Sequence, residues 1–272
     1  MRSVYLWTGL PMELAYSFAG LVVGFIVGLT GIGGGALMTP ILIVVFGIPP
    51  ITAVSTDLIY AAVTKFGGAI TYTRKKLIEW KVVILLLAGS VPGSLLTLFY
   101  LDSLGGLEKM EHLINLTLGI SLVLTSIAVF LRNKIRNQAI KWQHTPAARH
   151  AKKWRPLATT LMGLVLGCLV TLSSVGAGAL GTALLIVLYP RMSMPTIVGT
   201  DLVHAVALTA IAGAGHYQMG SVDLSLLAYL LIGSLPGVFV GSQIGTRLSP
   251  KVMQPIMGSI LLAIGLRFVI AG

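Results

Sequence analysis

The sequence predicts an all-α polytopic membrane protein made of two inverted repeats of about five helical segments each, with a glycine-rich helix hairpin in each repeat. Composition, an internal duplication and the placement of charge predict it. The chain of 272 residues is 56% hydrophobic and 10% charged, with a mean hydropathy of +0.92. Soluble domains hold roughly 25% charged residues, and a core of ordinary size cannot shelter so many apolar side chains, so the solvent is lipid. Residues 1–11 carry a single basic residue and no small-residue cleavage site, so the first apolar segment is expected to serve as its own targeting element. A single cysteine, Cys168, excludes a disulfide frame, a CxxC redox pair and a thiolate metal cage.

The duplication is direct. Residues 20–46 return as 163–189 with 14 of 27 aligned positions identical. After a one-residue insertion, TDL at Thr56 matches TDL at Thr200, and GSVPG at Gly89 matches GSLPG at Gly233. Apolar runs cover 12–30, 36–47, 52–72, 82–101 and 113–131, with counterparts at 157–173, 179–189, 196–215, 224–245 and 252–270. A helix needs about 20 residues to cross the hydrocarbon layer, so the second run of each half is too short. Each follows a glycine-rich stretch, GIGGG at residues 31–35 and SSVGAG at residues 173–178. The expectation is a helix hairpin whose tip lies inside the protein, where alone bare backbone is tolerated at membrane depth.

Five segments per half is an odd number, so the second copy must enter the membrane in the opposite orientation. Charge supports this. Arg74, Lys75, Lys76 and Lys81, the linker residues Arg132, Lys134, Arg136, Lys141, Arg149, Lys152, Lys153 and Arg155, and Arg191, Arg247 and Lys251 all fall on the cytoplasmic side of an outside-N-terminus topology. Asp102, Glu108, Glu111 and Asp223 fall outside. Counting each hairpin as one broken segment gives four spans per repeat instead, and hydropathy leaves that alternative open. The expected organisation is a first transmembrane repeat over 1–131, a basic cytoplasmic linker over 132–156 and a second repeat over 157–272. The net charge of +11 belongs to cytoplasmic loops and their attraction to anionic headgroups, not to nucleic acid.

Chemistry must come from polar groups within the apolar segments, where ionisable residues usually mark a pathway or a proton relay. Asp57 and Lys65 stand in the first copy, Asp201 and His204 in the second, and His216 nearer an outer end. The aspartates are equivalent by the repeat, whereas Lys65 aligns with Thr209 and His204 with Tyr60. Asp57 and Lys65, eight residues apart, lie about 12 Å apart along a helix and so share a cavity rather than pair. Asp201 and His204, three apart, share a face. Structural roles compete: the aspartates sit near helix starts, where the dipole favours carboxylates, Lys65 can snorkel, and His204 can be an interhelical hydrogen bonder.

The glycine clusters point further. Gly31, Gly33, Gly34 and Gly35 leave backbone N–H groups uncovered at the start of a short helix, and such an end binds anions. Ser173, Ser174, Gly176 and Gly178 occupy the same place in the second copy and add hydroxyl donors. Paired hairpin tips near the midplane are how carriers built from inverted repeats pass a ligand across by rocking. No βαβ unit surrounds these glycines, which sets dinucleotide binding aside.

GIGGGALMTP with the downstream AVSTDLIYAAVTK, and the second copy VGTDLVHAVALTAIAGAGH with GSLPGVFVGS, resemble the TauE/SafE sulfite exporter family, also called the toluenesulfonate uptake permease family. The resemblance covers about residues 14–269. It implies a multi-pass secondary carrier in the cytoplasmic (inner) membrane of a prokaryote, commonly with about eight spans, for sulfite, sulfonates or other small sulfur-containing or organic oxyanions. The second tip departs from GxGGG. The combined expectation is that the tip amides and Lys65 hold the anion, that Thr56 and Thr200 donate hydrogen bonds to it, and that Asp57, Asp201 or His204 carry protons if protons are the coupling ion. No cofactor or metal is expected. The alternatives are an intramembrane metal-dependent enzyme using His204, His216 and Asp201, for which there is no HExxH helix or GxSxG elbow, and a passive anion channel.

Overall fold

The structure, a computed structural model, describes residues 11–30, 35–104, 107–142, 145–245 and 250–271. Ten helices follow one another among them: α1 (Met12–Thr30), α2 (Gly35–Val44), α3 (Pro50–Arg74), α4 (Trp80–Ser103), α5 (Leu107–Trp142), α6 (Pro146–Ser173), α7 (Ala179–Leu188), α8 (Met194–Gln218), α9 (Leu224–Gly245) and α10 (Pro250–Ala271). The order matches the five apolar runs of each half. α2 and α7 have 10 residues each, about 15 Å of helix, half of the hydrocarbon thickness. Among the described residues six helices are long and apolar enough to cross a membrane: α1, α4, α5, α6, α8 and α9. α3 matches α8 in length but is less apolar, because Lys65 and Arg74 stand where α8 has Thr209 and Gln218.

α5 runs on to Trp142 and α6 begins at Pro146, so most of the basic stretch is helical. At 36 residues α5 is about 54 Å long and overshoots a bilayer core of about 30 Å. A basic segment can stay helical there because its charges project into water. Trp80, Trp142 and Trp154 are exposed at the ends of α4, α5 and α6 near these basic residues, as an aromatic belt requires.

The repeats are intertwined, and glycine makes the seams. Gly20, Gly24 and Gly28 on α1 face the backbone of Leu230, Ser234 and Val238 on α9, while Gly233, Gly237 and Gly241 on α9 face that of Ser17, Leu21 and Phe25 on α1. A Cβ at any of them would collide with a backbone carbonyl oxygen. Residue numbers rise together along both helices, so α1 and α9 run parallel. The same seam recurs between α4 and α6, where Gly89 and Gly93 meet Thr160 and Leu164, and Gly163 and Gly167 meet Leu86 and Ser90. In lipid no hydrophobic force drives helices together, so close backbone approach supplies the association energy. Each repeat thus packs its fourth helix on the first helix of the other.

Equivalent helices run the other way. On α3 and α8, Gly68 meets Leu202 while Gly213 meets Leu58 and Ile59. On α5 and α10, Gly119 meets Val269, Gly265 meets Leu122, and Ser126 Oγ donates to the Gly258 carbonyl at 2.8 Å. Both pairs are antiparallel. Between seams and pairs lies a core of Val23, Met38, Leu42, Tyr60, Leu118, Leu122 and Leu261, and large apolar residues such as Ile84, Phe99, Ile232 and Phe239 face outward toward lipid.

Gly89→Ala is expected to lower the stability of the detergent-purified protein by about 1–3 kcal/mol through overpacking, whereas Gly67→Ala, whose Cβ meets nothing within 4 Å, should be neutral or slightly stabilising. Thermal unfolding followed by size-exclusion fluorescence reads both, and equal effects would remove the seam from the account.

Candidate functional site

Two threonine–aspartate pairs, one per repeat, tie each short helix to the long helix after it. Thr39 Oγ1 on α2 donates to Asp57 Oδ2 on α3 at 2.5 Å, and Thr182 Oγ1 on α7 donates to Asp201 Oδ2 on α8 at 2.9 Å. All four side chains are buried. Thr39 and Thr182 are equivalent and identical in the repeat, so the duplication held a signal for these partners that reading for charge passed over. Asp57 Oδ1 and Asp201 Oδ1 have no hydrogen-bond partner.

The stretch between α6 and α7 is unwound. Ser174 (φ 56°), Gly176 (φ 115°) and Gly178 (φ 142°) adopt left-handed backbone, which glycine tolerates and which strains a serine. Their turns expose the Ala177 carbonyl, and Lys65 Nζ donates to it at 2.9 Å. Lys65, on α3 of the first repeat, thereby holds the hairpin of the second. The carboxylates of Asp201 and Asp57 act on its ammonium group through space.

A cavity of about 240 Å³ opens beside this bond. A single water needs roughly 10–15 Å³ of such space, so the cavity admits a small polyatomic ion with part of its hydration shell. Lys65, Arg132 and Asp201 supply its charges, Tyr72, Thr182 and Gln254 its neutral polar groups, and Ala177, Gly178 and Ala179 the start of α7. Ala128, Val129, Val198, Leu202 and Ala205 form apolar walls. Tyr72 lies in the last turn of α3, Val198 in the first turns of α8 and Gln254 in those of α10, so the mouth faces the side that carries Arg74, Lys75 and Lys76. Two cations outnumber one carboxylate, and first-turn N–H groups of α7 add positive potential.

The structure distributes the sequence candidates unevenly. Lys65, Asp201 and Gly178 stand on the cavity wall. Thr56 and Thr200 do not: their hydroxyl oxygens accept the backbone N–H groups of Asp223 at 3.1 Å and Glu79 at 3.0 Å, tying each repeat to the entry of the fourth helix of the other. Ser173 Oγ donates to the Leu169 carbonyl at 2.6 Å and contacts Ser121 Oγ at 3.2 Å. Ser174 faces Asp57, and its hydroxyl is otherwise unpartnered. Asp57 is not on the wall of this cavity, though it and Lys65 act on each other through space. His204 bonds Ser90 Oγ through Nε2 at 2.9 Å, leaving Nδ1 unpartnered. Gly35 opens α2, and Gly31, Gly33 and Gly34 lie outside the described residues. Arg132 and Tyr72 were not candidates from sequence, because Arg132 reads as the first residue of a basic linker and Tyr72 as the end of an apolar run. Among the described residues no three His, Cys, Asp or Glu side chains gather closely enough to hold a metal.

The family described as Sulfite exporter TauE/SafE matches residues 16–268 of this chain. The Probable membrane transporter protein YjnA of Bacillus subtilis (strain 168) is 40% identical over 263 residues, covering 95% of this chain and 100% of YjnA. YdhB of the same organism, also named a Probable membrane transporter protein, is 28% identical over 233 residues, covering 85% and 89%. MJ0441 of Methanocaldococcus jannaschii, likewise so named, is 27% identical over 266 residues, covering 90% and 92%. No solved structure matches. The chain belongs to the TauE/SafE family: it is a multi-pass membrane transporter and not an enzyme.

Thr39→Val and Thr182→Val each leave a buried carboxyl without its partner, at about 1–3 kcal/mol. The expected Tm loss is roughly 3–10 °C for each, with the serine variants near wild type. Unchanged melting of both valine variants would show that the pairs hold nothing together.

Proposed function

We propose that this member of the TauE/SafE family carries a small anion, sulfite or an organosulfonate, by alternating access between two repeats of opposite orientation. The observation that carries the reading is the cavity in which Lys65 and Arg132 face the start of α7 with only Asp201 to balance them. An oxyanion there accepts hydrogen bonds from the Lys65 ammonium, the Arg132 guanidinium and the amides of the α7 first turn, the arrangement by which helix starts bind anions. The family description supports sulfur oxyanions. The apolar walls of Val129, Val198 and Leu202 suit the organic part of a sulfonate.

The antiparallel running of α3 against α8 and of α5 against α10 supports the opposite orientation of the repeats, since repeats related by an axis along the membrane normal would run equivalent helices parallel. Rocking of one repeat on the other would then present the same ligand to either side.

Asp201 is the coupling candidate with the best placement. Its Oδ1 is unpartnered, and its negative charge would compete with an arriving anion for Lys65 and Arg132. An incoming anion therefore loads best with a proton on Asp201, which removes the repulsion and adds one O–H donor. Asp57 and His204 stand off the cavity and are secondary in this scheme.

Lys65→Gln and Arg132→Gln are each expected to weaken anion binding about 10-fold or more, since a hydrogen bond to a charged group is worth roughly 1.5–3 kcal/mol. Stabilisation of the purified protein by sulfite and by methane- and ethanesulfonate measures this, and wild-type affinities in both variants would overturn the site. In proteoliposomes, Asp201→Asn should keep anion counterflow but lose acceleration by a proton gradient. An unaltered gradient response would take the proton off Asp201.

A further inference from the structure

A second opening lies on a different face of the helices that border the cavity. α3 and α8 turn Lys65, Tyr72, Asp201 and Leu202 to the cavity, and Phe66, Ile70, Val203, Val206 and Ala207 to a groove of about 460 Å³. Phe66 is 57% exposed and Ile70 38%, so the groove opens to lipid. Its floor is the contact of α3 with α8, where Ala69 is buried and Gly68 meets Leu202. Thr73 adds no free hydroxyl to the groove, because its Oγ1 donates to the Ala69 carbonyl at 2.7 Å. The one charge that borders it is Arg74, which is exposed and has no ion-pair partner among the described residues.

Length and charge restrict what fits. From Phe66 to Arg74 is about 12 Å of helix, within the roughly 15 Å of hydrocarbon in one leaflet. Arg74 ends α3 beside Lys75 and Lys76, on the side where an excess of basic residues marks the cytoplasmic leaflet and its anionic lipids. The matching occupant is an amphiphile with an apolar chain and an anionic head. At the other end of the same two helices the counterparts of Phe66, Ile70 and Arg74 are Ala210, Ala214 and Gln218, so neither the bulk nor the charge is repeated in the opposite leaflet. A second copy of the chain fits poorly, because a twofold axis along the membrane normal would set Arg74, Lys75 and Lys76 of one copy against the same residues of the other.

We propose that this groove binds an anionic phospholipid of the cytoplasmic leaflet, with an acyl chain against Phe66, Ile70 and Val206 and the phosphate on Arg74. The apolar walls place the chain, and the guanidinium selects the head by paired N–H···O bonds to phosphate oxygens. The site is separate from the anion cavity and does not depend on what the cavity carries.

Phosphatidylglycerol with a photoactivatable group in one acyl chain tests this on the full chain in a neutral detergent. Crosslinks mapped by mass spectrometry should concentrate on residues 66–74 and 203–207 rather than on other lipid-facing surfaces, such as those around Phe99 and Phe239. Unlabelled phosphatidylglycerol should compete about 5-fold better than phosphatidylcholine of the same chains, and Arg74→Gln should remove that preference, since one basic residue near an anionic lipid is worth about that factor. Ala207→Phe, which fills the groove, should lower crosslinking there several-fold and leave it unchanged around Phe99 and Phe239. Arg74 is exposed, so its replacement reports even where Ala207→Phe fails to fold. Crosslinks spread evenly over the lipid-facing surface, equal competition by phosphatidylcholine, a preference that survives Arg74→Gln, or a folded Ala207→Phe protein with unaltered crosslinking each overturn the proposal. Glycerol 3-phosphate competing as well as phosphatidylglycerol would mean a free-phosphate site, and crosslinks joining two copies through these segments a dimer face; either outcome overturns it too. None of these readouts uses a transported anion, so they stand apart from the Lys65 and Arg132 dependence of anion binding.

Discussion

Close approach of backbones along the glycine seams is the constraint on which the rest depends. Between apolar helices in lipid, burial of apolar surface gains nothing, and association rests on van der Waals contact and interhelical hydrogen bonds. Gly20, Gly24 and Gly28 against α9, and Gly89 and Gly93 against α6, bring carbonyl oxygens to where a side chain would otherwise sit. Both seams cross between repeats, so neither half can assemble its outer helices alone. The cross-repeat bonds of Thr56 to Asp223 and Thr200 to Glu79 reinforce the same exchange. With the scaffold secured by glycine, the central helices are free to carry polar groups that add nothing to packing.

Those polar groups hold the short helices. A helix of about 15 Å ends inside the protein, so its terminal backbone groups must find partners there. Thr39 and Thr182 anchor the middle of each short helix to an aspartate, and Lys65 takes up the Ala177 carbonyl where the chain is unwound. The same lysine borders the cavity.

Duplication made a symmetric frame, and divergence made its two halves differ in charge. The threonine–aspartate pairs, the glycine seams and the cross-repeat bonds are duplicated, whereas Lys65 has only Thr209 opposite it, His216 has Tyr72, and Gly181 has Met38. The last difference matters locally, since a Cβ at Gly181 would strike the Asp201 carboxylate. Lys65, Arg132 and a cavity accordingly stand beside Asp201, and His216 makes a hydrogen-bonded bridge where the other repeat has Tyr72.

By itself the sequence determined the lipid environment, the duplication, the order of ten helical segments and the shortness of α2 and α7, because hydropathy and helix length are local properties. It also singled out Lys65 and Asp201, since a charge in an apolar run is conspicuous without knowing its partner. Only the tertiary structure decided that Arg132 belongs to the cavity, that Thr56 and Thr200 serve the helix entries of the opposite repeat, and that α5 and α6 remain helical through the basic stretch. Each of the first two depends on a contact across the repeat boundary, such as Thr56 with Asp223 or Lys65 with Ala177. No pattern along one helix encodes which groups on a distant helix will face it, because that is settled by how closely the glycine seams let the helices approach.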